Sequence, residues 1–259
     1  LVAERIEPAA AAFSKKLNDE GFFFNQLVNI LPDRGVIYVA VPKVASTRIR
    51  STLGKIAGRY SRQINPRRWG RRRPPQVPRS MSVRTFYRLA TDPDTLRFSF
   101  VRNPYARLVS SWAHIFKDRP LVAGSAEIVD GYLAQRENID KTLPAGADKT
   151  LSFEQFTIFA AANANSRFDQ HVHNQDDIVS MPGIDLTFIG RIESFNADFI
   201  RVLDHLGASD EIRRETFVPL NPSEHEYWTD YYTADLADRI YRAYERDFDR
   251  FGYPRALPG

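Results

Sequence analysis

The chain has 259 residues, 43% of them hydrophobic and 12% aromatic, enough to bury one sizeable core and far from the composition of a disordered or fibrous protein. It contains no cysteine, which excludes disulfides and thiolate chemistry, fits a reducing compartment, and leaves His and carboxylates as the only metal ligands. The formal charge of +4 is uneven: residues 59–88 carry ten arginines and no acid, so the basic character belongs to one segment and the remainder is net acidic.

No signal-peptide pattern opens the chain at Leu1, which leaves an upstream segment an open question, and no apolar run approaches the roughly 18 residues of a membrane helix. Residues 3–17 read as a helix, followed by the aromatic run "GFFFNQLVNI". Residues 36–41 read as a fully buried strand, β-branched and aromatic, bounded by Gly35 and Pro42. After it, Ser46 or Thr47 is a fit N-cap, and Ile49, Leu53 and Ile56 recur at helical spacing. The arginine segment, 59–88, lacks periodicity and is rich in Pro, so it reads as an irregular loop inserted between elements. It is either a solvated insertion or a contact surface for an anion, since guanidinium forks match phosphate, sulfate and carboxylate.

The stretch "TLRFSFVRNPYARLVSSWAHIF", 95–116, repeats the plan: a strand through Val101, Arg102 at its end, then a helix with Asn103 as N-cap and Pro104 as first helical residue. Residues 117–150 are loop-rich, with a short helix expected near 126–137. Ser152 and Gln155 form the ends of a capping box that opens an amphipathic helix. Residues 186–189 read as a third buried strand, with Arg191 and Glu193 at its end and a helix over about 196–207. In the tail, Leu236, Ile240, Tyr244 and Phe248 recur every four residues, which predicts one long helix stopped by Gly252. Strands alternating with helices give an α/β fold with a mainly parallel central sheet, read as a single domain over 1–259. The ligand crevice of such a sheet lies at the strands' C-terminal ends, the edge that would carry Lys43, Arg102 and Arg191.

A lysine in a strand–loop–helix turn, followed by the small residues Ala45, Ser46 and Thr47, is a cradle for a phosphate-like anion: backbone N–H groups and an ammonium converge on it. It is not the Walker loop, because no glycine stands between Val36 and Ile49. Taken alone, it also reads as a surface lysine in a βα turn. Paired with the second motif, the sequence resembles the sulfotransferases that use 3′-phosphoadenosine-5′-phosphosulfate (PAPS), in their carbohydrate-type branch. The first motif of that family has the form Pro-Lys-x-[ACG]-[CS]-Thr and here reads Pro42, Lys43, Val44, Ala45, Ser46, Thr47. The second has the form F-V-R-x-P-x-x-R-L-x-S and here reads "FVRNPYARLVS", from Phe100 to Ser110. The likeness continues into "FIGRIESF" and to the C-terminal "FGY", covering most of 36–253. Many relatives carry Cys where Ser46 stands, and the arginine segment has no counterpart.

The resemblance implies a P-loop-like α/β core and sulfuryl transfer from PAPS to a hydroxyl of a carbohydrate or glycoconjugate, with an anionic acceptor compatible with the arginines. It implies that residues 42–48 (Pro42, Lys43, Val44, Ala45, Ser46, Thr47 and Arg48) bind the 5′-phosphosulfate, with Lys43 stabilising the departing phosphate. Arg102 and Ser110 would hold the 3′-phosphate, with Arg191 at the same edge; Arg107 either joins them or lies on the surface. An acceptor hydroxyl needs a base. Of the five histidines, His171 is the expected one, with His173 in reserve, His114 one turn beyond Ser110, and Glu193 as a carboxylate alternative. No metal is expected; the rival set His171, His173 and Asp176 lacks a third nitrogen or sulfur ligand. Two other classes stay open at this point: a nucleotide-dependent kinase on a related scaffold, and a non-enzymatic polyanion- or nucleic-acid-binding protein led by the arginine segment. The expected partner is a glycan acceptor without nucleic acid or a transmembrane segment. The expected compartment is the cytoplasm, or the Golgi lumen for a shortened eukaryotic enzyme; the oligomeric state is not legible.

Overall fold

The structure, a computed structural model, describes residues 24–58, 82–117, 151–218 and 228–257, with short helical pieces at 8–9, 12 and 133–135. Most of the helices expected over 3–17 and 126–137, and residues 59–81 of the arginine segment, lie outside the described residues.

Four strands form one sheet: β1 (Val28–Leu31), β2 (Val36–Val39), β3 (Leu96–Val101) and β4 (Phe188–Arg191). Their order is β1-β2-β3-β4; β1 pairs antiparallel with β2, whereas β2, β3 and β4 run parallel. The fold is therefore the expected α/β type with a mainly parallel sheet. The helices are α1 (Ser46–Ile56), α2 (Val83–Thr91), α3 (Pro104–Trp112), α4 (Phe153–Asn163), α5 (Gln175–Val179), α6 (Phe195–His205), α7 (Asp210–Phe217), α8 (Ala234–Ala243) and α9 (Glu245–Phe251).

The chain makes two compact units. The first takes Leu1–Val101 and Asp177–Leu220, the second Arg102–Asp176 and Asn221–Gly259. In the first, every side chain of β2 is fully buried, which is why the sequence reads as an unbroken apolar run rather than an alternating one. Tyr38 stacks on Phe98 at 4.8 Å, and Phe100 meets Phe195 and Phe199 of α6 at 5.5 and 5.8 Å. That packing explains Gly190: a Cβ there would lie 2.5 Å from the Phe100 ring. In the second unit an aromatic cluster does the same work. Tyr105 packs on Phe248 and Tyr232 at 4.8 and 5.1 Å, and its hydroxyl donates to the Arg255 carbonyl at 2.8 Å.

Several expectations need correction. Helix α2 takes the last six residues of the segment read as an irregular loop; Ser82 caps it by accepting from the Thr85 N–H at 3.1 Å. The strand placed at 186–189 begins two residues later, because the Arg97 N–H is taken by the Thr187 hydroxyl and not by a backbone carbonyl, and it is only partly buried. The single C-terminal helix is two. At Tyr244 (φ −116°, ψ 20°) the chain leaves helical geometry, and the phenol reaches inward to the carbonyls of Ala160 and Val172. The stripe of Leu236, Ile240, Tyr244 and Phe248 is nevertheless buried throughout, and Gly252 caps α9 in the left-handed conformation. The capping box of Ser152 and Gln155 forms as read.

Candidate functional site

In the first unit, β2 runs out through Ala40 and Val41 into residues 42–47. Two non-glycine residues there adopt left-handed backbone, Lys43 (φ 68°) and Ala45 (φ 58°), with buried Val44 between them. Each such residue costs on the order of 1 kcal/mol, so the turn is held open against its local preference. Ala45, not Ser46 or Thr47, is the N-cap of α1, and no side chain caps it. The first bond of the helix runs from the Ile49 N–H to the Ala45 carbonyl at 3.0 Å. The N–H groups of Ser46, Thr47 and Arg48 thus precede the helical ladder and have no acceptor within it. Residues alternating in hand turn successive N–H groups to one concave side, a geometry suited to an anion. The Arg48 guanidinium is otherwise engaged: it lies 5.7 Å from the centre of the Phe195 ring and reaches the Val218 carbonyl at 3.5 Å.

Arg191 is the last residue of β4, exposed, and pairs in register with Val101 of β3. Its N–H donates to Asp198 Oδ2 at 2.8 Å, and the Ser194 hydroxyl donates to the same oxygen at 2.6 Å. Lys43 and Arg191 therefore follow the C-terminal ends of parallel strands, as expected. Glu193 is exposed in the 3₁₀ turn Ile192–Ser194. A groove of about 520 Å³ lies at the other edge, where β3 and β4 begin, between Thr95, Thr187, Arg201 and His205. His205 sits in the last turn of α6, as its sequence position suggests; His225 lies outside the described residues.

In the second unit, half-buried Arg102 is followed by Asn103, whose Oδ1 accepts from the N–H groups of Tyr105 and Ala106 at 2.9 and 3.4 Å. Ser110, half-buried, lies near the end of α3, which widens into the π turn Ala113–Lys117 carrying His114. Arg107 is no surface residue. It is fully buried and donates to the carbonyls of His173 and Gln170 at 2.8 and 3.0 Å. Burial pushes its pKa down from the ordinary arginine value, opposed first by the charge of Asp247. Asp247 is itself fully buried, and burial pushes its carboxyl up against the pull of Arg107 and of hydrogen bonds from Gln175 and Asp176.

This network fixes residues 169–176. The carbonyls of 170 and 173 meet Arg107, that of His171 accepts from the Ser111 hydroxyl at 3.1 Å, and that of Val172 accepts from the Tyr244 hydroxyl. His171 is then aimed by Asp169, whose Oδ1 takes both its N–H at 2.9 Å and its Nδ1 at 2.8 Å. A proton on Nδ1 leaves Nε2 as the basic nitrogen, the arrangement a general base requires. The His171 side chain is 18% exposed, and its ring centre is 6.0 Å from that of His114. His173 is turned inward, its Nδ1 2.8 Å from the Ser166 carbonyl. Asp176 is paired with Arg250 and Arg246. The rival metal set is thus not assembled, and among the described residues no group of three or more His, Asp or Glu is gathered closely enough to hold an ion. Asp169, Gln175, Asp247 and the burial of Arg107 escaped the sequence reading. The one available signal was that Arg107 is the only charge in an otherwise uncharged helix.

A family model described as "Sulfotransferase family" matches residues 26–254, nearly the whole chain and parts of both units. The chain belongs to the sulfotransferase family. This sulfotransferase is accordingly a transferase that draws on a sulfuryl donor and an acceptor substrate. Comparisons with curated proteins and with solved structures found no match. Among the described residues no helix is long and apolar enough to cross a membrane.

Proposed function

We propose that this sulfotransferase takes its sulfuryl group from PAPS and passes it to a hydroxyl of a carbohydrate or glycoconjugate, its two units acting as one domain. The observation that carries the reading is the left-handed pair Lys43 and Ala45 at the head of α1, strained backbone of the kind that presents N–H groups to an anion. Lys43 and the N–H groups of residues 44–48 take the 5′-phosphosulfate. Arg102 and Ser110, in the second family motif, take the 3′-phosphate, a guanidinium fork and a hydroxyl being suited to it; Arg191 adds charge at the strand edge. The acceptor oxygen attacks sulfur as the bond from sulfur to the bridging phosphate oxygen breaks. His171, aimed by Asp169, removes the hydroxyl proton, and Lys43 stabilises the charge that develops on the leaving phosphate. The ten arginines of 59–88 support an acceptor that is anionic, and the absence of cysteine supports the cytoplasm as its compartment.

A thermal-shift panel separates this reading from the kinase and polyanion alternatives. Adenosine 3′,5′-bisphosphate should raise the melting midpoint, whereas ATP with Mg²⁺ or an RNA oligonucleotide should not. A midpoint that responds only to ATP–Mg²⁺ or only to RNA would end it. On a glycan array charged with PAPS, His171→Ala should cut transfer by about 10²–10⁴-fold with unchanged affinity for the bisphosphate. A normal rate in that variant would move the base to His173, His114 or Glu193.

A further inference from the structure

Arg102 lies between two regular elements, one residue past β3 and one before the N-cap of α3, so neither ladder supplies its backbone partners. One side chain supplies both. The amide oxygen of Gln175 accepts from the Arg102 N–H at 3.0 Å, and its Nε2 donates to the Arg102 carbonyl at 2.8 Å. A primary amide bonded to both backbone groups of one residue copies the pairing of a strand and restricts that residue's φ and ψ.

Gln175 is itself fixed from behind. Asp247 Oδ2 accepts from Gln175 Nε2 at 3.2 Å and from its N–H at 3.0 Å, and Oδ1 accepts from the Asp176 N–H at 2.8 Å. Both Gln175 and Asp247 are fully buried. The amide has only one workable orientation, because a flip would set its oxygen against a carboxylate and a carbonyl. A buried carboxylate thus orients a buried amide, and the amide sets the backbone of a half-buried arginine. If the network served only to hold residues 169–176 on α3, the carbonyl contacts of Arg107, Ser111 and Tyr244 would already suffice. Gln175 instead gives its amide oxygen and one Nε2 bond to Arg102, the other Nε2 bond going to its anchor Asp247.

We infer that Gln175, anchored by Asp247, is a positioning residue for the donor: it sets the direction in which Arg102 leaves the backbone and so the preference for nucleotides bearing a 3′-phosphate. The inference rests on the reading that Arg102 meets that phosphate. A guanidinium fork is sensitive to aim, and a displacement of about 1 Å at such a contact is enough to lose most of its discrimination.

The test is a double-mutant cycle read as the ratio of affinities for adenosine 3′,5′-bisphosphate and adenosine 5′-phosphate, titrated by calorimetry. Arg102→Ala should abolish the preference. Gln175→Met, which keeps the volume and removes the amide, should lower it at least about tenfold, and should add less than about twofold in the Arg102→Ala background, because its effect passes through the arginine. A general loosening of the fold would weaken both nucleotides alike and leave the ratio intact. If Arg102→Ala loses the preference while Gln175→Met keeps it, or if the two losses multiply, the positioning role is overturned and the donor reading stands. If Arg102→Ala keeps the preference, the donor reading itself fails and takes this inference with it. Should Gln175→Met melt before binding can be read, Gln175→Asn, an amide drawn back by one methylene, is judged by the same criteria.

Discussion

In residues 42–47 the first unit shapes its loop with backbone: two left-handed residues, a buried valine between them, and the open N–H groups at the head of α1. In residues 169–176 the second unit shapes its segment with side chains: Arg107, Ser111, Tyr244, Asp247 and Asp169 bind its main chain, and three of these, Arg107, Asp247 and Asp169, are buried charged residues. The two devices differ in what they tolerate. A backbone cradle is set by local φ and ψ, so a side chain such as that of Lys43 can be truncated without dismantling it. A side-chain clamp fails when any one partner is removed, because the groups left behind are buried and charged or polar. Substitutions should therefore separate the regions: in the clamp they lower stability first, in the cradle they lower turnover first.

The largest effect falls on the clamp. Asp247→Ala leaves Arg107 buried without its principal counter-charge and strips acceptors from two N–H groups, and the expected loss is about 3–5 kcal/mol of unfolding free energy. Urea denaturation measures it. Replacing both members, Arg107→Met with Asp247→Leu, should recover part of that loss, since a buried ion pair contributes little net stability against a well-packed apolar pair. A drop below about 1 kcal/mol for the single change would mean that the clamp is not held by charge.

On the other side of the comparison, Lys43→Ala should leave the melting midpoint within a few degrees of the parent and reduce turnover by about 100-fold or more, equivalent to roughly 2.7 kcal/mol of barrier. The lysine lies in a turn after β2 and on the proposed reading its ammonium meets the leaving phosphate, so its loss should be felt in the rate and not in the fold. A rate lowered only a few-fold, or a midpoint lowered together with the rate, would reverse the contrast between the two regions.

The same difference explains what was legible in the sequence. Strand β2, its loop and α1 are contiguous, and a run of apolar β-branched residues ending in Pro42 and Lys43 announces them. Asn103 and Pro104 announced the start of α3 for the same local reason. Strand β1 went unread because three apolar residues and Asn29, following directly on a helical turn, are too short to show a period and have no preceding breaker. The break at Tyr244 was hidden because the apolar stripe runs through it unchanged, while the contacts its hydroxyl makes with Ala160 and Val172 are remote in sequence. Asp247 and Gln175 were illegible because their meaning lies in contacts 71–73 residues apart in sequence, which no periodicity encodes. His171 stood in the sequence as one of several candidate bases, but Asp169, only two residues earlier, counted as one acid among many until its oxygen was seen at Nδ1.

A smaller effect distinguishes the aromatic core behind the clamp. Burial pushes the phenol of Tyr105 up to about 12, and pushes those of Tyr232 and Tyr244 well above their ordinary value of 10. An acid whose folded pKa is raised stays neutral in the fold while the unfolded chain ionises. Its stabilising contribution is complete below pH 10 and is lost as pH rises from 10 toward the folded value. Each such tyrosine should remove about 1.4 kcal/mol of stability per pH unit above 10. Urea midpoints between pH 9 and 11.5, with tyrosinate absorbance recorded in parallel, measure this. Tyrosinate absorbance that exceeds, before unfolding, what the chain's other eight tyrosines supply would show these phenols to be open to solvent.

The smallest effect belongs to the cradle and has the opposite sign. Ala45 holds left-handed backbone at φ 58° with no side-chain cap to compensate. Glycine adopts that conformation without steric penalty, so Ala45→Gly relieves strain in the fold; against this, the unfolded chain gains freedom that folding must remove. The two terms nearly offset, and the expected net change is a gain of up to about 1 kcal/mol in stability. Donor affinity should move the other way, falling by a few-fold, because a glycine turn no longer holds the N–H groups of Ser46 and Thr47 in a single direction before the anion arrives. Denaturant midpoints and titration with adenosine 3′,5′-bisphosphate read the two quantities separately. A variant that is both less stable and fully competent in donor binding would mean that Ala45 is held by packing alone. The strain at its backbone would then have no part in presenting the cradle to the phosphosulfate.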